Sequence, residues 1–426
     1  SLSDAREAAV QAVGRGDLAT AETLARHLLA ADPQDPLARQ VLATVALRKG
    51  DLPRARAEAR AAHANARTDR QRHEAAKLAA IIADAEGRDL ALRWWLRAAG
   101  EDSPTAQERK LAARALAHVR DRSPWALRFG VSVSPSNNVN GGADSPFTIV
   151  DGHPELGQGL TDADGRALSG MVGKLNADLS WRLARSDRAQ TRLSFGLDLK
   201  RVHITDHTDN LKGSDLSSDT VSLGMDHERL DAGGRGRWDF GADLGLSRDG
   251  EDSSREISAR LGRSLALTER AMISFSASWT VEQENRNDRV TRLPQLTISS
   301  EHHLAGGARL GFALTGYDAQ TSNSQRKRHG GLVQVSYAPG KPLGPFDISG
   351  ALGLSFADYP DYSVPLGPGI GRQDQTVFGQ VTLVARDLSW QGFSPQLTLR
   401  ASRSDSNISK FDTLETGIVL GLKSQF

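Results

Sequence analysis

The amino-acid sequence predicts α-helical repeats followed by a closed antiparallel β-barrel that spans a membrane, and three observations carry the prediction. A Gly-Asp-Leu triplet recurs at a spacing of 34 residues near the N-terminus. From Trp125 onward, apolar residues leave helical spacing for alternation with polar ones. The last segment alternates Ile418, Leu420 and Leu422 and ends in Phe426.

At 426 residues the chain exceeds what one core usually supports, so two domains are expected, 1–122 and 123–426. The first is rich in Ala, Arg and Leu, the second in Gly, Ser, Thr and Asp with alternating Leu, Val and Phe. With 53 Lys+Arg against 52 Asp+Glu, no net field would hold a polyanion, so no nucleic-acid partner is expected. The absence of cysteine removes disulfides, thiolate chemistry and Cys-type zinc sites, and suits an oxidising envelope compartment. The chain opens at Ser1 with no charged-then-apolar leader, so any secretion signal is expected to have been cleaved or left out of this sequence. No uncharged apolar run reaches the length of a transmembrane helix. A mean hydropathy of −0.42 is compatible with a membrane barrel, because lumen-facing polar residues offset lipid-facing apolar ones.

In the first domain Gly16-Asp17-Leu18 recurs as Gly50-Asp51-Leu52, and Ala21, Ala25 and Ala30 have counterparts at Ala55, Ala59 and Ala64. This is a tetratricopeptide period: Gly ends one helix, Asp caps the next, and Ala lets paired helices approach. Asp32-Pro33 stops the second helix. A looser third copy follows at Gly87-Arg88-Asp89-Leu90, and a last helix from Thr105 to Val119 is expected to cap the stack. Trp94 and Trp95 read as packing residues rather than a peptide clamp.

In the second domain the clearest strand places Met171, Leu175, Leu179, Trp181 and Leu183 on one face, and Lys174, Asn176, Asp178 and Arg182 on the other. Fourteen such strands are expected, starting near 126, 168, 190, 218, 235, 254, 271, 293, 306, 329, 345, 374, 393 and 414. An even number suits a single-chain barrel. Long loops are expected at 134–167, 204–217, 284–292, 318–328, 359–373 and 403–413, with short turns at the other end. Short turns belong on the periplasmic side, which puts the repeat domain and the C-terminus in the periplasm of a Gram-negative cell. Trp125, Trp181, Trp238 and Trp390 fall at the short-turn ends, where a periplasmic aromatic girdle is expected. Thr416, Gly417, Leu420, Leu422 and Phe426 fit the closing-strand signal addressed to the barrel-assembly machinery. The alternative fold is a β-sandwich, with Leu179 and Phe240 in a dry interior.

The sequence resembles a known family. Ser123-Pro124-Trp125, Phe129, Asn137-Asn138-Val139-Asn140, Leu388-Ser389-Trp390-Gln391-Gly392-Phe393-Ser394-Pro395, Ser406-Asn407 and Leu422-Lys423-Ser424-Gln425-Phe426 look like the surface lipoprotein assembly modulators. The resemblance implies tetratricopeptide repeats joined to a fourteen-stranded barrel, and translocation of lipoproteins or, in some members, soluble proteins across the outer membrane. This chain departs from it in having only two clear repeat copies, which bears on the class of cargo. Tetratricopeptide-barrel proteins that export exopolysaccharide share the plan, and an export pore of that kind is the rival reading.

No nucleophile elbow, zinc-protease helix motif or phosphate loop is present, so neither an enzyme nor a cofactor is expected. Gly367-Pro368-Gly369-Ile370-Gly371 reads as a loop, Asp206-His207 and His302-His303 as solvated pairs, and Asp144, Asp151, Asp162 and Asp164 as loop acids that could also collect calcium weakly. The lumen-facing candidates are Lys174, Asp178, Arg182, Asp198, Arg237, Asp239, Asp243, Glu282, Arg309 and Asp347, with Lys200, Asp226, Glu228 and Glu284 beside them. Both signs are mixed, which gives a hydrated wall that neither grips nor repels an unfolded chain. The expected partners are protein cargo, outer-membrane lipid, the barrel-assembly machinery and periplasmic chaperones.

Overall fold

The computed structural model describes residues 2–364, 369–385, 388 and 393–424. The chain divides near Ala126 into a helical unit and a β unit. Among the described residues the helical unit has seven helices: α1 (Leu2–Arg15), α2 (Leu18–Ala31), α3 (Pro36–Arg48), α4 (Leu52–Ala64), α5 (Asp69–Ala85), α6 (Asp89–Glu101) and α7 (Ala106–Arg122). Gly16, Gly50 and Gly87 end the first helix of each pair at φ of 79°, 79° and 68°, which a side chain would resist. Asp17 and Asp51 then each accept a backbone N–H, from Thr20 and Arg54, at 3.1 Å. The third pair keeps the glycine, but Arg88 stands at the cap and gives no side-chain hydrogen bond. Of the repeat alanines, Ala21, Ala25, Ala55 and Ala59 are fully buried, so helix backbones pack with only a methyl between them, whereas Ala30 and Ala64 are exposed and take no part in that contact. Trp95 is buried and meets Trp94 edge-on at 4.2 Å. The last helix runs three residues beyond the expected Val119, with Thr105 capping it through Glu108 N–H at 3.2 Å.

The β unit is a closed barrel of fourteen strands among the described residues, each antiparallel to its neighbours. They are β1 (Trp125–Ser136), β4 (Gly170–Arg185), β5 (Ala189–Ile204), β6 (Ser218–Leu230), β7 (Gly236–Asp249), β8 (Asp252–Thr268), β9 (Ala271–Glu284), β10 (Arg289–His303), β11 (Arg309–Thr321), β12 (Arg328–Ala338), β13 (Phe346–Tyr359), β14 (Arg372–Ala385), β15 (Phe393–Ser406) and β16 (Thr413–Ser424). A small hairpin, β2 (Phe147–Thr148) and β3 (Gly159–Leu160), sits in the first loop. β1 closes on β16, with Val131 opposite Leu422 and Val133 opposite Leu420, so no edge is left to pair with another chain. Leu179, Phe240, Leu244 and Leu420 are 39%, 46%, 53% and 54% exposed and point outward, the reverse of a sandwich. Among the described residues no helix is long and apolar enough to cross a membrane, which says nothing of the barrel strands.

One loop expectation needs correction. The connection expected over 284–292 is a tight turn, because β9 ends at Glu284 and β10 begins at Arg289. The neighbouring β7–β8 connection at the same end is also tight, turning at Gly250 with φ of 59°. Length alternation is therefore incomplete.

Candidate functional site

The site is the barrel lumen together with the loops at the end of the barrel away from the short turns. Register carries one polar face right across the sheet. On β4 that face holds Lys174, Asp178 and Arg182; Lys174 lies opposite Lys200, and Asn176 opposite Asp198. Arg182 lies opposite Arg192, which lies opposite Asp226. Asp243 follows, between Gly224 and Ser258, and Glu282 lies opposite Glu256. Arg237 and Asp239 occupy the same face of β7, Arg309 that of β11 opposite His303, and Asp347 that of β13 opposite Val384. Between the charges stand Ser, Thr and Gly.

Some of the charges on this face are brought together as pairs, while Lys174 with Lys200 and Glu256 with Glu282 set like charges opposite one another. Arg260 reaches Asp226 at 2.9 Å and Asp243 at 3.7 Å; Arg128 meets Asp178 at 3.2 Å, Arg192 meets Glu228 at 3.3 Å, Arg400 meets Glu415 at 2.7 Å, and Arg237 meets Asp239 at 2.9 Å. Arg128, Arg192, Glu256, Arg260, Arg400 and Glu415 are members that the sequence reading passed over. Counting strand parity outward from Asp226 or Asp243 would have found them. With both signs interleaved, this face has no single dominant charge.

At the far rim the long loops are folded. Val150 from the first loop, Tyr362 from the β13–β14 loop and Ile408 from the β15–β16 loop form a small buried core, with Ile408 fully buried. The residues that carry the family resemblance hold this core in place. Asn137 accepts Thr416 N–H and donates to Leu414 O, both at 2.8 Å, so the first loop is bound to the last strand. Asn138 closes on Gly142 from both sides at 2.9 Å; a Cβ on Gly142 would lie 2.3 Å from the Arg166 backbone. Asn140 donates to the carbonyls of Asp164 and Arg166 and accepts Leu168 N–H. Asn407 accepts Gln373 N–H at 2.7 Å and so ties the β15–β16 loop to β14.

The loop acids act within this architecture. Asp164 accepts the N–H groups of Asn210, Asp209 and Leu211 at 2.9, 3.0 and 3.2 Å, and the Asn210 bond most of all holds its carboxyl below the usual range. Asp144 accepts Leu414 N–H, Asp162 accepts Gly165 N–H, and Asp206 accepts Ser169 N–H. Among the described residues the four acids of the first loop form no metal-type cluster, nor do His302 and His303. His303 instead faces Glu301 at 3.2 Å.

At the short-turn end Trp125, Trp181 and Trp238 are exposed. Arg263 lies over the Trp238 ring at 4.7 Å and grips Asp231 in the β6–β7 turn, which holds the Asp231 carboxyl below its ordinary range. Of the closing-strand signal, Thr416, Gly417, Leu420 and Leu422 lie on β16, where Gly417 is opposite Ser136. Trp390 and Phe426, with Gly367 and Pro368, lie outside the described residues.

Residues 250–426 match the family described as surface lipoprotein assembly modifier. No curated protein matches the chain. Among solved structures it is similar to the outer membrane channel DcaP of Acinetobacter baumannii, at 11% identity and a TM-score of 0.41 over 71% of this chain and 97% of that one. It is also similar to a bacterial polysaccharide outer membrane secretin, at 10% identity and a TM-score of 0.37 over 70% and 98%, and to a Pseudomonas aeruginosa FadL homologue, at 11% and 0.39 over 70% and 89%. The fold is a closed fourteen-stranded barrel preceded by helices, and from Gly250 to Phe426 the chain matches the sequence signature of the surface lipoprotein assembly modifiers, the family its motif residues resemble.

Proposed function

We propose that the chain is an outer-membrane translocator that delivers surface lipoproteins or secreted soluble proteins to the cell exterior. The helical repeats engage cargo in the periplasm, and the barrel conducts it without nucleotide or cofactor. The observation that carries this reading is the family match over residues 250–426, on a closed barrel whose inner face is polar and charge-paired. The ten lumen-facing candidates act in it as a wetted wall, Trp125, Trp181, Trp238 and Trp390 as the periplasmic girdle, and Thr416, Gly417, Leu420, Leu422 and Phe426 as the assembly signal. Periplasmic chaperones deliver cargo, and folding of cargo outside supplies direction.

Outward passage requires the Val150–Tyr362–Ile408 core to part. Because the chain has no cysteine, a Val150→Cys/Ile408→Cys pair would be its sole disulfide. These two positions already face each other as an antiparallel bridge. Co-expression with a candidate lipoprotein, read by protease digestion of whole cells, is expected to show surface cargo with the reduced pair and at least a tenfold loss with the oxidised one. Cargo that stays equally exposed after the barrel is deleted refutes translocation. Restored polysaccharide export in a pore-deleted strain, with cargo still inside, would replace this reading by the rival pore.

A further inference from the structure

The helical unit contains a cluster that its repeat architecture does not need. His73 on α5 is 2% exposed, and its Nδ1 lies 2.7 Å from the carbonyl oxygen of Ala99 on α6. A carbonyl can only accept, so Nδ1 carries the proton, and in the neutral ring Nε2 is left with its lone pair. That atom is buried and has no hydrogen-bond partner among the described residues. A buried ring nitrogen with nothing to bond is costly unless something unseen uses it.

Two carboxylates lie close to the ring. Glu108 on α7 places Oε1 4.0 Å from Nε2, while its Oε2 accepts the Thr105 hydroxyl at 2.7 Å, which fixes the carboxylate plane. Glu74 follows His73 on α5, and one ligand atom from each of the three residues lies within 4.8 Å of the others. Among the described residues this is the one group of three or more such side chains that comes together this closely. Around a tetrahedral zinc ion, with bonds of about 2.0 to 2.2 Å, neighbouring ligands stand roughly 3.3 Å apart, so binding would draw the three groups together by up to about 1.5 Å. The histidine is held as metal ligands usually are, by an Nδ1–H bond to a backbone carbonyl that aims the other nitrogen. Ser103, donating to the same Ala99 oxygen at 2.7 Å, steadies that acceptor.

We propose that His73, Glu74 and Glu108 form a binding site for a zinc-class divalent cation, bound through His73 Nε2 and one oxygen of each glutamate, with a fourth position open to water. The cation would displace Lys77, which pairs with Glu74 at 3.1 Å. It would also tie α5 directly to α7, two helices that otherwise meet by packing on α6. Such a tie would stiffen the capping end of the repeat stack.

The test uses the full chain in detergent, stripped with a chelator and dialysed against zinc alone. One tightly held zinc per chain is expected, with Glu74→Gln and Glu108→Gln each weakening affinity at least about tenfold. Glutamine still serves at the Glu108 capping position, so the metal-free helical signal should not change. Cobalt substituted for zinc should give visible absorption that shifts in Glu108→Gln, a response that nonspecific binding by the other ten histidines would not give. A wild-type chain that retains no more zinc than the Glu74→Gln/Glu108→Gln double variant overturns the site.

Discussion

The two units place the same kinds of residue in opposite positions. In the helical unit Leu28 is 1% exposed and Ala21, Ala25, Ala55 and Ala59 are sealed, whereas in the barrel Leu244 is 53% exposed and Asp243, one residue away, belongs to the opposite face. The first unit encloses its apolar side chains and the second turns them outward. Burial therefore means facing protein in the helices and facing lipid in the strands, and a single substitution should read out which solvent each side chain meets. The largest expected effect is Leu244→Arg, which sets a charge among acyl chains at a cost of about 2–4 kcal/mol near the bilayer midplane. It should abolish the heat-dependent gel shift of the folded barrel, while Asp243→Asn on the neighbouring inward position leaves that shift in place. Equal effects from the two would mean that the faces are not distinct.

Inside the helical unit the limiting quantity is room. Ala25 and Ala59 are fully buried at repeat-equivalent positions. Leucine at Ala25 should overpack the contact and lower helical stability by about 1–3 kcal/mol, read by thermal denaturation monitored at a helical wavelength. The barrel gel shift should stay unchanged. A neutral or stabilising result would mean that the alanines are not set by close helix approach.

Much of this was legible in the sequence for a reason that differs between the units. Helix pairs could be read because Gly16, Gly50 and Gly87 need a left-handed backbone, and strands because alternation survives wherever one face meets lipid. The signal faded at the strand ends. Arg292 stands on the lipid-side parity of β10, near the tight turn at 285–288, where a long side chain can reach water, so the segment looked like loop. Which charge pairs with which could not be read at all, because Arg260 meets Asp226 through register rather than spacing. The rim core was equally hidden: its contacts join residues such as Ile149 and Ser409, 260 positions apart. The motif asparagines could be recognised as a pattern, but their work as locks between loops appears only once the barrel closes the chain on itself. His73 was passed over because nothing in its surroundings along the chain marks it as buried beside two carboxylates.

The repeats themselves offer an internal comparison. Asp51 caps α4, while Arg88 occupies the same place before α6 without a cap bond. Asp51→Ala should cost about 1 kcal/mol of helical stability, and Arg88→Asp should gain a similar amount by giving the third repeat the cap it lacks. Thermal midpoints of the two variants, moving in opposite directions, check this. If Arg88→Asp lowers the midpoint, the third turn is not equivalent to the first two.

The smallest expected effect concerns acid. Glu22 on α2 accepts from Lys49, Arg26 and Arg54, and these bonds, led by Lys49, hold its carboxyl down to about 2 from an ordinary 4.5. A carboxyl whose folded value is depressed stabilises the fold fully above its unfolded value and loses that contribution as pH falls towards the folded one. The window is therefore from about 4.5 down to about 2. Its cationic partners are 39–64% exposed, so solvent screens the pairs and Glu22→Gln should cost no more than about 1 kcal/mol at neutral pH. The informative quantity is the slope: between pH 4.5 and pH 2 the helical unit of Glu22→Gln should lose less stability than wild type, while the two converge at the acid end. Parallel slopes would show that the Glu22 hub does not link the first two repeats in solution, and that alanine packing alone joins them.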